Sequence, residues 1–382
     1  MPIKAVDSIH AIEQEQWDTC VGPDQPFIRH GFLSALEDSG SATAETGWAA
    51  QHLVIEDQGG QILAASPLYL KSHSCGEYVF DWNWADAYER AGGRYYPKLQ
   101  SAVPFTPVTG NRLLVRRGLD PDQSQQLKIS LAEAMTQLGK RYDVSSIHVT
   151  FPEKDETEVL SERGFLLRTG QQFHWQNDGY DTFDDFLMSL NARKRKAIRK
   201  ERRAISESGL VIKALHGTDI QENHWDAFYG FYRNTTDKKW GQDYLNRSFF
   251  SLLGEHMPDQ TVLMMAFDNA TPVAGALNLL GEKTLYGRNW GAAIEQKFLH
   301  FELCYYQAIE FAIKHRLLRV EAGAQGSHKI QRGYLPQTTY SAHWIRDEGF
   351  RQAIERFLAA EQQAINEDME QLLTISPFKK GK

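Results

Sequence analysis

Cysteine is scarce in this chain. Cys20, Cys75 and Cys304 stand far apart, odd in number and without C-x-x-C or zinc-type spacing, which excludes a disulfide scaffold and a clustered metal site. No metal is expected, and a reducing cytoplasm is the expected compartment. Long apolar runs are missing too. The longest candidates, such as "TVLMMAF" (261–267), are strand-sized, well short of the ~20 apolar residues that span a bilayer. The first residues, "MPIKAVDSIHAIEQEQW", have no apolar stretch after their lysine and do not read as a secretory signal. Neither a P-loop nor G-x-G-x-x-G, H-E-x-x-H or G-x-S-x-G occurs in a matching context, which sets aside NTPases, dinucleotide enzymes, zinc proteases and α/β-hydrolases.

Positive charge is the minority sign, with 42 Lys and Arg against 49 Asp and Glu and a net charge of −7. General affinity for nucleic acid is therefore not expected. Against that background, "RKRKAIRKERR" (193–203) packs eight bases and one acid into eleven positions. On a helix, Leu187, Leu190, Ala197, Ile198 and Ile205 fall on one stripe, with Lys194 and Glu201 beside them; Arg195, Lys196, Arg199, Arg202 and Arg203 spread over the opposite face. Asn191 is placed to cap the helix. A solvated face is one reading. The other is a phosphate-bearing partner, because local acids that would relieve the repulsion are lacking.

At 382 residues the chain is long enough for two domains, and its pattern is written twice. "QHLVIEDQGGQILAASPLYLK" (51–71) reads as a strand, a polar turn and a longer strand; "TVLMMAFDNATPVAGALNLLG" (261–281) has the same grammar. The first half continues with a helix over 122–142, a strand over 145–151, a short helix ending on Gly164 and a strand from Phe165. The second continues with a strand over 284–290, a helix over 301–315 and a strand over 318–324. The fold class expected is α/β (α+β), with domains at 1–175 and 176–382 and a basic helix at 190–208.

A hairpin, a third antiparallel strand, a helix and a parallel strand is the order of the acyl-CoA N-acyltransferase (GNAT) core. The segment 299–336, "LHFELCYYQAIEFAIKHRLLRVEAGAQGSHKIQRGYLP", resembles the tandem-GNAT Fem-type aminoacyl ligases of peptidoglycan synthesis. The strings at 80–110, 190–203 ("LNARKRKAIRKERR"), 286–292 ("YGRNWGA") and 321–336 ("EAGAQGSHKIQRGYLP") are similar to the bacterial FemAB-like predicted N-acyltransferases. The resemblance implies two GNAT-like domains, each a mixed, mostly antiparallel sheet flanked by helices. It also implies transfer of an acyl or aminoacyl group to an amine, with the acceptor on the first domain and the donor on the second. Acyl-CoA is a candidate co-substrate and tRNA a candidate partner.

Candidate site residues follow from what acyl transfer needs: a base, an oxyanion donor and a leaving-group acid. Glu321 ends a strand and is followed by "AGAQG", where small residues admit a ligand; with His328 it is the first choice for general base. Glu302 is the third catalytic candidate, or else an acid stabilised by a helix N-terminus. Arg288, Asn289, Trp290 and Gly291 lie in the R-x-x-G-x-A spacing of a GNAT pyrophosphate loop. Lys329, Arg332, Lys194, Arg195 and Arg199 are candidate anchors for the donor. In the first domain "FDWNWADAYERAGGRYYPKL" offers Asp81, Trp82, Trp84, Asp86, Tyr96 and Lys98 as an acceptor wall, or else an aromatic-rich core. A non-catalytic module that binds a cell-wall precursor or RNA is the competing reading.

Overall fold

A computed structural model describes residues 2–238, 243–323 and 326–379. The chain divides into two compact units, Met1–Gly170 with Thr338–Glu367, and Gln171–Gln337 with Asp368–Lys382. The junction falls near the boundary drawn from sequence, but residues 338–367, expected in the second domain, pack with the first.

The first unit contains β1 (Ile3–Val6), α1 (Gln14–Cys20), α2 (His30–Asp38), β2 (Trp48–Ala50), β3 (His52–Glu56), β4 (Ile62–Ser66) and β5 (Tyr69–Lys71). It continues with α3 (Trp82–Arg90), β6 (Lys98–Ser101), β7 (Leu114–Val115), α4 (Pro121–Arg141), β8 (Ser146–Thr150) and α5 (Lys154–Glu162). Next, β9 (Leu166–Gln176) leads to α6 (Phe183–Ser189), α7 (Ala192–Ser206), β10 (Val211–His216), α8 (Glu222–Lys238), α9 (Arg247–His256), β11 (Thr261–Asp268), β12 (Thr271–Leu280) and β13 (Thr284–Ala292). After β13 come α10 (Leu299–Phe301), a π turn (Glu302–Tyr306), α11 (Gln307–Lys314), β14 (Arg319–Glu321), β15 (Leu335–Ile345) and α12 (Glu348–Thr374).

In the first unit the hairpin β3–β4 turns at Asp57, whose carboxylate accepts from the backbone of Gly59 and Gln61. The long second strand expected over 62–71 is broken. Pro67 cannot donate to a ladder, so β4 stays in the sheet β1-β3-β4-β7 while β5 joins a second sheet in the order β2-β5-β6-β8-β15. There β6 runs parallel to β8, and α4 makes the crossover. Asp120 caps that helix through the backbone of Asp122 and Gln123, Pro121 opens it, and Lys140 with Arg141 close it, each suited to its end of the helix dipole. Leu127, Leu131 and Met135 of α4 pack on Leu99, Ile147 and Val149.

The second unit repeats this order. Its strands run β10-β11-β12-β13-β14-β9, with β11–β12 turning at Asn269 in the left-handed conformation (φ 55°) that asparagine tolerates. Strand β13 is parallel to β14 only over Thr284–Tyr286 against Arg319–Glu321. Opposite β12, the register shifts between Ala276 and Asn278, so that Arg288 and Asn289 together oppose Leu277, the two-against-one count of a β-bulge. That pairing stops at Tyr286 and Glu321, where β14 ends while β13 runs on to Ala292. Among the described residues no helix is long and apolar enough to cross a membrane.

Candidate active site

Glu321 is the last residue of β14, 2% exposed, paired in register with Tyr286 on one side and His174 on the other. Its carboxylate lies 3.1 Å from Arg319 Nε and 3.8 Å from His174 Nε2. Burial, aided by Arg319 and Lys329, pushes His174 down to about 3, so this imidazole is neutral near pH 7. Lys329, also buried, donates to the Gly323 carbonyl at 2.8 Å. Ala324 and Gln325 of the "AGAQG" run lie outside the described residues. His328, exposed on the 3-10 segment Ser327–Arg332, shares a 2.9 Å hydrogen bond between its Nε2 and the Tyr305 hydroxyl. Burial and then Arg332 and Lys329 lower its pKa.

Arg332 is clamped. It donates to both Glu201 oxygens at 3.0 Å and to the His328 carbonyl, and its guanidinium lies 3.3 Å from the Phe301 ring centre. Tyr306 donates to the same Glu201 carboxylate. Trp290, His300, Phe301, Tyr305 and His328 form a chain of ring contacts at 5.0–6.1 Å around this clamp.

Helix α7 carries its charges on distinct faces. Asn191 caps it by accepting from the Lys194 backbone, and Ile198 and Ile205 are buried, but Ala197, placed on the apolar stripe from sequence, is exposed. Glu201, the lone acid of the run, faces Arg332. Burial, Arg193 and Arg332 lower the pKa of Lys194 on the same side. Arg195 donates to the Leu190 carbonyl, and Arg199 pairs with Asp184. Arg202 pairs with Glu302 at 3.0 Å and with Glu310 at 2.6 Å, and stacks on Phe183. For Arg199 and Arg202 the compensating acids come from other elements, which a local reading of the run could not see.

Glu302 is thus held by Arg202 and by the Gln307 amide, along an open groove of about 690 Å³ lined by α6, α7 and the helix after β13. Its partners differ from those of Glu321 and His328. Arg288, Asn289, Trp290 and Gly291 belong to β13 rather than to a loop opening a helix, and the helix begins only at Leu299. The extended alternation of "TLYGRNWGA" carries the ladder through them. Gly291 is required by packing, because a Cβ there would come within 2.0 Å of the Phe231 carbonyl of α8. Gly291→Ala is expected to cost about 1–3 kcal/mol, read as a lowered denaturation midpoint.

In the first unit four of the six acceptor candidates meet. Lys98, fully buried, donates to Ser74 Oγ at 2.8 Å, to Glu77 Oε2 at 2.7 Å and to Asp81. Tyr96 shares a hydrogen bond with Ser74, and the Trp84 ring lies 4.9 Å from His343. The other two face outward: Trp82 is 46% exposed, and Asp86 pairs with Arg90 one turn along α3. Sequence reasoning missed Lys71, Ser74, Glu77, Tyr95, His148 and His343. Lys71 lies opposite Lys98, and Tyr69, Gln100, His148 and His343 form one row across four strands. Tyr95 donates to Asp81 at 2.7 Å, and the two histidines share a hydrogen bond between Nδ1 atoms 2.6 Å apart. The repeated Ser-x-His of "SIH" and "SAH" was the available signal.

A family model, FemAB-like, described as peptidoglycan biosynthesis/recognition, matches residues 8–380. No curated protein matches the chain significantly. Among solved structures, FemX is similar at TM-score 0.57 and 12% identity, over 90% of this chain and 98% of its own. A conserved protein of unknown function from Bacteroides thetaiotaomicron is similar at TM-score 0.54 and 11% identity, over 91% and 100%. L-PGS from Bacillus licheniformis is similar at TM-score 0.51 and 8% identity, over 87% and 95%. At such identities these likenesses show the fold alone, one of mixed sheets and helices shared with FemX.

Proposed function

Because this chain belongs to the FemAB-like family, we propose that it transfers an acyl or aminoacyl group from an activated donor to an amine of a peptidoglycan-related acceptor. The observation that carries this reading is the end of the β13–β14 pairing at the buried Glu321, past which β13 continues to Ala292. An extended acyl arm that paired with β13 beyond Tyr286 would bring its carbonyl beside Glu321.

In such a step the acceptor ammonium first loses a proton, the amine nitrogen bonds to the acyl carbon, and the carbon–sulfur or carbon–oxygen bond to the donor breaks. The leaving thiolate or alkoxide takes up a proton. Glu321 and the neutral His328 are the bases proposed, and the Tyr305 hydroxyl fixes the His328 ring. Arg288, Lys329, Arg332 and Lys194 supply positive charge for donor phosphates, and the rings of Trp290, His300 and Phe301 suit a flat base. Acyl-CoA and aminoacyl-tRNA share this chemistry. Asp81, Trp84, Tyr96 and Lys98 of the first unit are proposed to shape the acceptor side. Arg195 and Arg199, taken as donor anchors from sequence, are engaged with Leu190 and Asp184 and are left out of the donor site.

The test is turnover with panels of acyl-CoAs and charged tRNAs. Glu321→Gln and His328→Ala should each lower kcat/KM by about 10²–10⁴-fold while leaving donor affinity within a few-fold. A protein that binds neither class of donor would refute the reading. Binding without turnover in every form would make it a recognition module.

A further inference from the structure

Four cations of α7 take no part in the contacts described above. Arg193, Lys196, Lys200 and Arg203 are spaced i, i+3, i+7 and i+10, so they occupy one stripe about 80° wide. All four are exposed, with no acidic partner among the described residues. Every other charge of the helix faces an acid, a carbonyl or Arg332, so this stripe is set apart from the donor site.

The stripe has an apolar neighbour. The segment after α12 is laid along the α6–α7 joint, where Leu190 bridges to Phe378, Asn191 donates to the Pro377 carbonyl and the Lys379 backbone donates to Ser189. Around this joint Met188, Leu373 and Ile375 stand 51%, 47% and 48% exposed, and Lys379 adds a fifth exposed cation.

We propose that this surface docks on an anionic membrane, with the stripe against lipid headgroups and the three apolar side chains at the headgroup–acyl boundary. A chain of net charge −7 is repelled from such a surface unless it presents a local basic patch. Each Lys or Arg close to anionic lipid contributes on the order of 1 kcal/mol, and apolar side chains add the non-electrostatic part of interfacial binding. Nucleic acid would use the cations but gain nothing from Met188, Leu373 and Ile375, none of which is an aromatic platform for a base. The inference is independent of the transferase reading: a failure here leaves the donor site intact, and the reverse also holds.

The experiment is flotation of the full chain with phosphatidylcholine vesicles and with equimolar phosphatidylcholine/phosphatidylglycerol vesicles over a salt series. Binding is expected to the anionic vesicles alone and to weaken as salt rises. Lys196→Gln with Lys200→Gln should reduce partition by about 30-fold. Met188→Ser with Ile375→Ser should reduce it by about tenfold or more without changing the salt slope. All four positions are exposed, so the thermal midpoint should stay put. Equal binding to both vesicles, or to neither, overturns the proposal. So does salt-sensitive retention of RNA that the charge variant loses and the Met188/Ile375 variant keeps, which would give the surface to nucleic acid.

Discussion

Lys98→Ala is expected to destabilise the first unit by about 3–5 kcal/mol, visible as a large drop in the denaturant midpoint. The lysine is fully buried, and its ammonium serves Ser74, Glu77 and Asp81 at once. Removing it strands two carboxylates, each about 2% exposed. Glu77 can retreat by taking a proton, since burial already pushes it up to about 7 against the pull of Lys98. Asp81 depends on the lysine more heavily. Burial works to raise it, yet Lys98 and His148 outweigh burial and hold it well below the carboxylate range. The combination Lys98→Met, Glu77→Gln, Asp81→Asn should recover most of the loss. If that triple variant is no more stable than Lys98→Ala, the stranded carboxylates are not the cause.

Acid should unfold the same unit through its paired imidazoles. Burial lowers His148 to about 3 and His343 well below its ordinary value. A base with a depressed folded pKa binds fewer protons folded than unfolded, so its contribution is complete above ~6.5 and is lost as pH falls below that value. Glu77 acts the other way. With a folded value of about 7 it is protonated in the fold before it is in the unfolded chain, and it offsets one histidine between about pH 6.5 and 4.5. These three groups together make stability fall with pH by on the order of 1 kcal/mol per unit in that window and more steeply below it, where Asp81 adds to the loss. Denaturant titrations across this range measure the slope. Replacing both histidines by glutamine should flatten the slope; an unchanged slope would remove them as the cause.

The sequence was most readable where a local rule and the tertiary outcome agree. Both hairpins, the parallel strand after each crossover helix, the Asn191 cap and the place of Glu321 at a strand end follow from periodicity and capping alone. So does the inward turn of Lys194 and Glu201 on α7. Where partners come from distant segments, the sequence was silent. The strand expected over 145–151 carries His148 on a face that is closed over, where it pairs with His343, while Lys98 is met by Ser74, Glu77 and Asp81 and Gln100 donates to Thr150. Arg202 looked like one more surface charge until Glu302 and Glu310 arrived from the helix after β13. The spacing of Arg288, Gly291 and Ala293 matched a loop motif, yet the ladder with β12 carried the strand straight through it.

The route of the backbone has a consequence for synthesis. The first unit is assembled from residues up to Gly170 and from Thr338–Glu367, and the late segment brings the strand that pairs with β8 and the second imidazole of the buried pair. A nascent chain therefore cannot seal that core until residues 341–345 have been made. Throughout the elongation of the intervening stretch, one edge of β8 waits unzipped, and a fragment ending before residue 338 would leave it so permanently.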